Sequence, residues 1–205
     1  MILRSTIEEV LRHPLRSTAP RVEVARDVAH DLGLRPSQAS ILTGVRRCGK
    51  STLQNQMMRG SSAPVSCNFE DTRLFGLGPE DFPTILSLVD ALSAADEPVF
   101  LDEVQEIPEW QRLVRALLDK GRAVCATGSN ASLLGRELGT KLTGRHLSHE
   151  IFPFSYREYL AYRQQPPGAN SLRDFLDEGG FPLYLQEQNE LILQELLKDI
   201  VQRDV

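Results

Sequence analysis

The sequence predicts an α/β fold, a parallel sheet with helices on both faces, followed by a helical extension. Three observations predict it. Between residues 39 and 154, short apolar runs alternate with segments of helical periodicity, and strands separated by helices need crossover connections that make them parallel. The glycine-bearing stretch "GVRRCGKS" (44–51) lies between the apolar run "ASILT" and the pattern "TLQNQMM", a turn from strand into helix. Beyond residue 154 the strand signals stop and helical patterns take over. With 205 residues, 41% of them hydrophobic, the chain can bury one full core and carry a small appendage.

Taken in order, "TIEEVLRH" and "RVEVARDVAHDLGL" read as helices, the second because Val24, Val28 and Leu32 recur at helical spacing and Gly33 supplies a stop. "ASILTG" (39–44) is the first expected strand, "STLQNQMMRG" a short helix closed by Gly60, and "APVSCNF" (63–69) the second strand. "EDFPTILSLVDAL" puts Phe82, Ile85, Leu86, Val89 and Leu92 on one helix face, with Pro83 tolerable in the first turn. "PVFLDE" is the third strand. "PEWQRLVRALLDKG" is a helix with Trp110, Leu113, Val114, Leu117 and Leu118 on one stripe and Gly121 at its end. "AVCATG" (123–128) is the fourth strand, "SNASLLGREL" a helix, and "RHLSHEIFPF" the fifth strand. Then "SYREYLAYR" opens with Ser155 and Glu158 at capping-box spacing, "SLRDFLDEGGF" ends at a double glycine, and one last helix runs from about Leu185. That helix carries no stop signal in "LLKDIVQRDV", so a further domain is expected to follow. The expected organisation is a leading helical segment (1–35), a core (36–154) and a helical, lid-like extension (155–205).

A net charge of −5 argues against a surface that is basic throughout, yet the charge is unevenly placed. Residues 66–110 hold eleven acids against Arg73 alone, and residues 111–145 hold seven bases against two acids. Such blocks are either solvated helix faces or binding surfaces. Cys48, Cys67 and Cys125 are odd in number and lack C-x-x-C spacing, which suggests neither a disulfide framework nor a zinc site. No apolar run approaches the roughly 18 residues that span a bilayer. A reducing, cytoplasmic setting without membrane contact is expected.

"GVRRCGKS" matches G-x-x-x-x-G-K-[ST] at every fixed place, and its position between strand and helix is the context the motif requires. Backbone amides converging from such a loop, with the positive end of a helix behind them, hold phosphate oxygens. The expected nucleotide-binding set is Gly44, Val45, Arg46, Arg47, Cys48, Gly49, Lys50, Ser51 and Thr52. Lys50 would neutralise the β and γ oxygens and the Ser51 hydroxyl would ligate Mg²⁺. Arg46 and Arg47 either touch phosphate or a neighbouring segment, or are solvated. Cys48 reads as a small loop filler rather than a redox switch.

Holding a nucleotide needs no base, so "PVFLDEVQEIPEW" bears on chemistry. Asp102 and Glu103 fall at the carboxyl end of a strand, where open α/β sheets bind ligands. Asp102 would serve Mg²⁺ beside Ser51, and Glu103 would orient and polarise a water attacking the γ-phosphate. Acids also end strands for purely local reasons, and the upstream loop tips the choice. Ser129 and Asn130 at the end of the fourth strand could sense the γ-phosphate, or act as a turn residue and a helix N-cap.

Five stretches in this order, "TGVRRCGKSTL", "FLDEVQEIPEWQRLVRALLD", "TGSNASLL", "LTGRHLSHEIFPFSYREYL" and "GGFPLYL", give residues 39–205 a specific likeness. The chain resembles the AAA+ P-loop ATPases, and more narrowly the prokaryotic archaeal-type ATPases that carry an uncharacterised C-terminal domain. The resemblance implies the P-loop NTPase three-layer fold, with a five-stranded parallel sheet in the order 5-1-4-3-2. It also implies an arginine acting in trans on a neighbour's γ-phosphate from the start of the fifth strand, here Arg145, with Arg136 in reserve. In the family, the region after "GGFP" leads to a winged-helix-like segment and a nuclease-like fold, so a nucleic-acid partner would act through that part. The leading 35 residues or so are longer than the family's usual approach to the core.

The expected function is therefore Mg²⁺-dependent ATP binding and hydrolysis driving conformational or assembly switching, in a possible homo-oligomer. The expected catalytic set is Glu103, Lys50, Asn130, Ser129 and Arg145; the metal set is Ser51 and Asp102. The alternative is a nucleotide-gated binding module with little turnover that acts through a protein or nucleic-acid partner. The absence of an N-K-x-D guanine reader tilts the nucleotide towards ATP.

Overall fold

The computed structural model of the protein describes residues 1–12, 23–30, 32–129, 142 and 144–201. Among the described residues one sheet is formed, from β1 (Ala39–Thr43), β2 (Val65–Asn68), β3 (Val99–Asp102), β4 (Val124–Thr127) and β5 (His146–Glu150). The spatial order is β2-β3-β4-β1-β5, which from the other edge is the expected 5-1-4-3-2, and every pairing is parallel. β1 lies between β4 and β5, and all five of its residues, the polar Ser40 and Thr43 included, are buried, so its burial does not alternate. β5 is shorter than the stretch 145–154. Past Ile151 the backbone leaves the sheet, and the Phe154 N–H donates to the Gly180 carbonyl at 2.7 Å.

Alternation inside the strands sorts the helices onto two faces. Ala39 and Ile41, Val99 and Leu101, and Val124 and Ala126 point into one core. It is closed by α1 (Arg4–Arg12), α3 (Phe82–Leu92) and α4 (Trp110–Asp119). Leu42, Phe100 and Cys125 point the other way, against Leu53 of α2 (Lys50–Met58). On α4 the buried stripe is the expected one, Trp110, Leu113, Val114, Leu117 and Leu118. On α3 Pro83 does sit in the first turn, and Leu88 is buried while Leu86 and Leu92 are only partly so. The helix expected over "SNASLLGREL", with Asn130 and Arg136, lies outside the described residues, apart from Ser129.

Two helical expectations are corrected. Residues 23–26 form no regular secondary structure, with Val24 and Arg26 buried and their neighbours exposed, and Asp27–His30 forms a short 3-10 turn. Val24 packs in a third apolar cluster with Phe154, Tyr159 and Leu185, and Arg26 enters a buried ion pair described below. These tertiary contacts outweigh the local helical period. The single closing helix is instead α7 (Pro182–Glu187) and α8 (Glu190–Asp199). Gln188 takes a left-handed conformation, φ 53°, and the Asn189 side chain accepts from the Leu191 N–H at 3.0 Å to start α8 anew.

The extension also contains α5 (Tyr156–Arg163) and α6 (Ala169–Glu178). The capping box at α5 is as expected: the Ser155 hydroxyl accepts from the Glu158 N–H at 3.2 Å, and the Ser155 N–H donates to Glu158 Oε2 at 2.8 Å. The double glycine after α6 has two separate causes. Gly179 is left-handed at φ 74°, and a Cβ on Gly180 would fall 2.2 Å from the Phe154 carbonyl oxygen.

Leu117→Ala is expected to cost about 2–5 kcal/mol in urea unfolding, because it empties a fully enclosed site. Leu176→Ala, on an exposed face of α6, is expected to stay within about 0.5 kcal/mol of the parent.

Candidate functional site

The carboxyl ends of β1, β3 and β4 converge where the sequence placed its candidate residues. From Thr43 the chain turns through Gly44 at φ 140° and Gly49 at φ 104° into α2. Both glycines are favoured by backbone conformation, and at Gly44 sterics demand one as well. A Cβ on Gly44 would lie 2.2 Å from the Ile151 carbonyl oxygen, and one on Gly49 would lie 2.8 Å from the Arg26 guanidinium. Lys50 is buried, and its ammonium donates to the carbonyls of Gly44 at 2.9 Å and Val45 at 3.0 Å. Val45 and the buried Cys48 face the second core; burial pushes the Cys48 thiol up, against the pull of Lys50 and Arg26, which suits a filler and not a nucleophile. Arg47 is exposed at φ 62°, whereas Arg46 is half-buried, and its Nε has no hydrogen-bond partner among the described residues.

Ser51 and Asp102 meet. The Ser51 hydroxyl donates to Asp102 Oδ1 at 3.1 Å, across 51 positions of sequence. The Thr127 hydroxyl donates to the same oxygen and accepts from the Glu103 N–H at 3.0 Å, so one buried threonine orients both acids. Burial raises the Asp102 carboxyl above the usual carboxylate range; the Thr127 bond opposes this and the neighbouring Glu103 charge adds to it. Glu103 itself is left-handed, φ 52°, ψ 53°, an uncommon conformation for a glutamate, and it turns its side chain sharply off the strand. Ser129 is buried within reach of Gln105, whose amide nitrogen lies 3.5 Å from its hydroxyl. Asn130 lies outside the described residues.

Among the described residues no cluster of three or more His, Cys, Asp or Glu could hold a metal. One hydroxyl and one carboxylate are nevertheless the kind of partial set that Mg²⁺ uses when substrate phosphates and water supply its other oxygens. Ser51 and Asp102 fit that role.

Arg145 is not brought to this loop. It stands at the opposite end of the sheet, where its guanidinium pairs with Asp119 at 2.5 Å and lies 3.4 Å from the Ser37 carbonyl.

A family model described as AAA domain matches residues 36–160, more than half of the chain. The chain belongs to this AAA domain family. Relatives of the domain include an uncharacterized protein of Methanocaldococcus jannaschii, 31% identical over 97% of this chain and 48% of its own length. Another is an uncharacterized protein of Haemophilus influenzae, 29% identical over 80% of this chain and 45% of its own length. The chain thus spans about half the length of the curated relatives it matches. Similar solved structures include a Walker-type ATPase of Pyrococcus abyssi, with a TM-score of 0.49 and 16% identity over 80% of this chain and 71% of that one. The Orc1 protein of Aeropyrum pernix, in complex with DNA, gives a TM-score of 0.48 and 14% identity over 82% of this chain and 53% of that one.

The site and its surroundings also hold residues that sequence reasoning missed. Thr127 had a signal, a hydroxyl residue closing an otherwise apolar strand. Glu70, in the turn after β2, had none: its carboxyl is raised first by burial and then by the charge of Glu103, with Arg46 opposing. Arg26 was hidden in an apparent helix. Its Nε pairs with Glu158 Oε1 at 2.9 Å, and its other nitrogens donate to the carbonyls of Cys48 at 2.9 Å and Phe152 at 2.6 Å. Burial works against the Glu158 charge but is outweighed by the N–H groups of Ser155 and Asp27 and by Arg26, which together hold its carboxyl below the usual range.

Asp102→Asn is expected to raise the melting temperature of the ligand-free protein at neutral pH. A folded-state pKa above the unfolded one means that the charged carboxylate costs stability once pH exceeds the unfolded value. The gain should shrink as pH falls through the raised value, which thermal unfolding at several pH values would read. Arg26→Ala is expected to cost about 3–5 kcal/mol near neutrality, since it strands a buried carboxylate. Glu158 has a lowered pKa, so that deficit should narrow in acid, as pH falls through its folded value.

Proposed function

We propose that this AAA domain binds ATP with Mg²⁺ and hydrolyses it, using the cycle to switch the arrangement of its helical extension or of an assembly. The observation that carries the proposal is the meeting of Ser51, Asp102 and Thr127 at the mouth of the loop that holds Lys50, with Glu103 turned out beside them. A binding loop alone has no need of that carboxylate pair. In this reading the loop amides and Lys50 hold the phosphates, Ser51 and Asp102 hold Mg²⁺, and Glu103 accepts a proton from the attacking water. Mg²⁺ would neutralise charge that develops on the phosphate oxygens.

A small cavity of about 40 Å³ lies beside Gly49 and Thr52, lined by Val24, Arg26, Phe154, Tyr162, Pro182 and Gln186. The pocket joins the core to the extension, and Arg26 joins the loop backbone to Glu158 on the same route, which gives nucleotide occupancy a path to the extension. Arg145 takes the trans role in this proposal: its pairing with Asp119 is a surface ion pair, cheap to release when a second copy approaches.

Phosphate release with Mg²⁺-ATP is the test. Glu103→Gln should lower the rate on the order of 10²-fold or more while retaining nucleotide, and Lys50→Ala should lose the nucleotide. An unchanged rate in Glu103→Gln would refute the assigned chemistry. Tight ATP binding with negligible turnover in the parent protein would favour the binding module.

A further inference from the structure

Gln105 lies two residues beyond Glu103 and has no role in the reaction as described. The left-handed Glu103 ends β3, and the 3-10 turn Val104–Glu106 folds the Gln105 side chain back over it. Gln105 Nε2 donates to Glu103 Oε2 at 2.5 Å and lies 3.5 Å from the Ser129 hydroxyl. Gln105 Oε1 is buried and has no hydrogen-bond partner among the described residues. Turning the amide over would set its carbonyl oxygen against a carboxylate, so the chemistry fixes which end is which. A buried acceptor left unpaired destabilises a fold, and beside a candidate base it calls for a functional account.

The reaction supplies one. A water attacking phosphorus has two O–H bonds, and a base takes only one of them. Until the second is also held, the water can rotate about the first, and its lone pair has no fixed aim. A second acceptor removes that freedom.

We propose that Gln105 is a water-positioning residue: its amide nitrogen fixes Glu103, and its carbonyl oxygen accepts the second O–H of the attacking water. The inference rests on the hydrolytic reading above. In the step, the water oxygen bonds to the γ-phosphorus, and its proton passes to Glu103. The bond from phosphorus to the bridging oxygen breaks, and its electron pair leaves with the β-phosphate. The proton that Gln105 holds stays on the new phosphate.

The test uses Gln105→Met, which keeps an unbranched side chain of similar length and removes both polar ends. Its kcat for Mg²⁺-ATP should fall on the order of 10- to 100-fold, with KM and the affinity for a non-hydrolysable ATP analogue within about threefold of the parent. Affinity for ADP with tetrafluoroaluminate, which gains from an in-line water, should drop by a similar factor while affinity for ADP alone holds. A purely structural role would weaken all three ligands together. In the Glu103→Gln background Gln105→Met should add little, because both act on one water. An unchanged or raised kcat, or an unchanged tetrafluoroaluminate affinity, overturns the inference while a slow Glu103→Gln leaves the hydrolytic reading standing. If Glu103→Gln is as fast as the parent, both fall. Should Gln105→Met fail to fold, Gln105→Asn retains the amide one methylene short, and the same three affinities decide.

Discussion

One oxygen of Asp102 receives two hydroxyl groups, from Ser51 at the start of α2 and from Thr127 at the end of β4. Those three residues come from three separate crossover units, so the bonds form only when β1, β3 and β4 stand side by side. The carboxylate is buried enough that its charge is unfavourable there, and two donors are what make the charge tolerable. The result is a site that is costly in isolation and suited to a cation. Thr127 extends the arrangement by accepting from the Glu103 N–H, so the geometry of both acids depends on one strand end.

A second constraint lies behind the loop. Arg26 occupies the space that a side chain on Gly49 would need, and it ties the loop backbone to Phe152 and Glu158. The buried ion pair is supported by amides at both Glu158 oxygens, which is the condition under which such a pair holds its geometry. Arg26 thereby bridges the loop backbone and the first helix of the extension. The small cavity lined by Val24, Phe154 and Pro182 draws on the same three parts of the chain: the segment before the core, the core's exit and the extension.

Much of this was legible in the chain itself. Short apolar runs located all five strands, and patterning at a period of 3.6 located the helices whose faces are buried on the sheet, because burial on one side leaves a periodic trace on a helix. The loop was legible because Gly44, Gly49, Lys50 and Ser51 form a local motif, and the acid pair because it ends an apolar run. The strand order came from likeness to a family, since nothing in a single strand's composition says which neighbour it will take.

What failed in the sequence was local propensity set against distant partners. Val24, Val28 and Leu32 repeat as a helix would, yet Val24 and Arg26 lie in non-helical backbone and pack against Phe154 and Glu158, more than a hundred positions away. The sequence by itself determined the layers of the sheet, the loop and the identity of the two acids, because each is written in contiguous residues. Only the tertiary structure decided that Thr127 orients both acids, that Gln105 lies against Glu103 with an unpaired oxygen, and that Arg26 backs the loop. Those contacts depend on left-handed turns and strand neighbours, which fix directions in space that no linear pattern encodes.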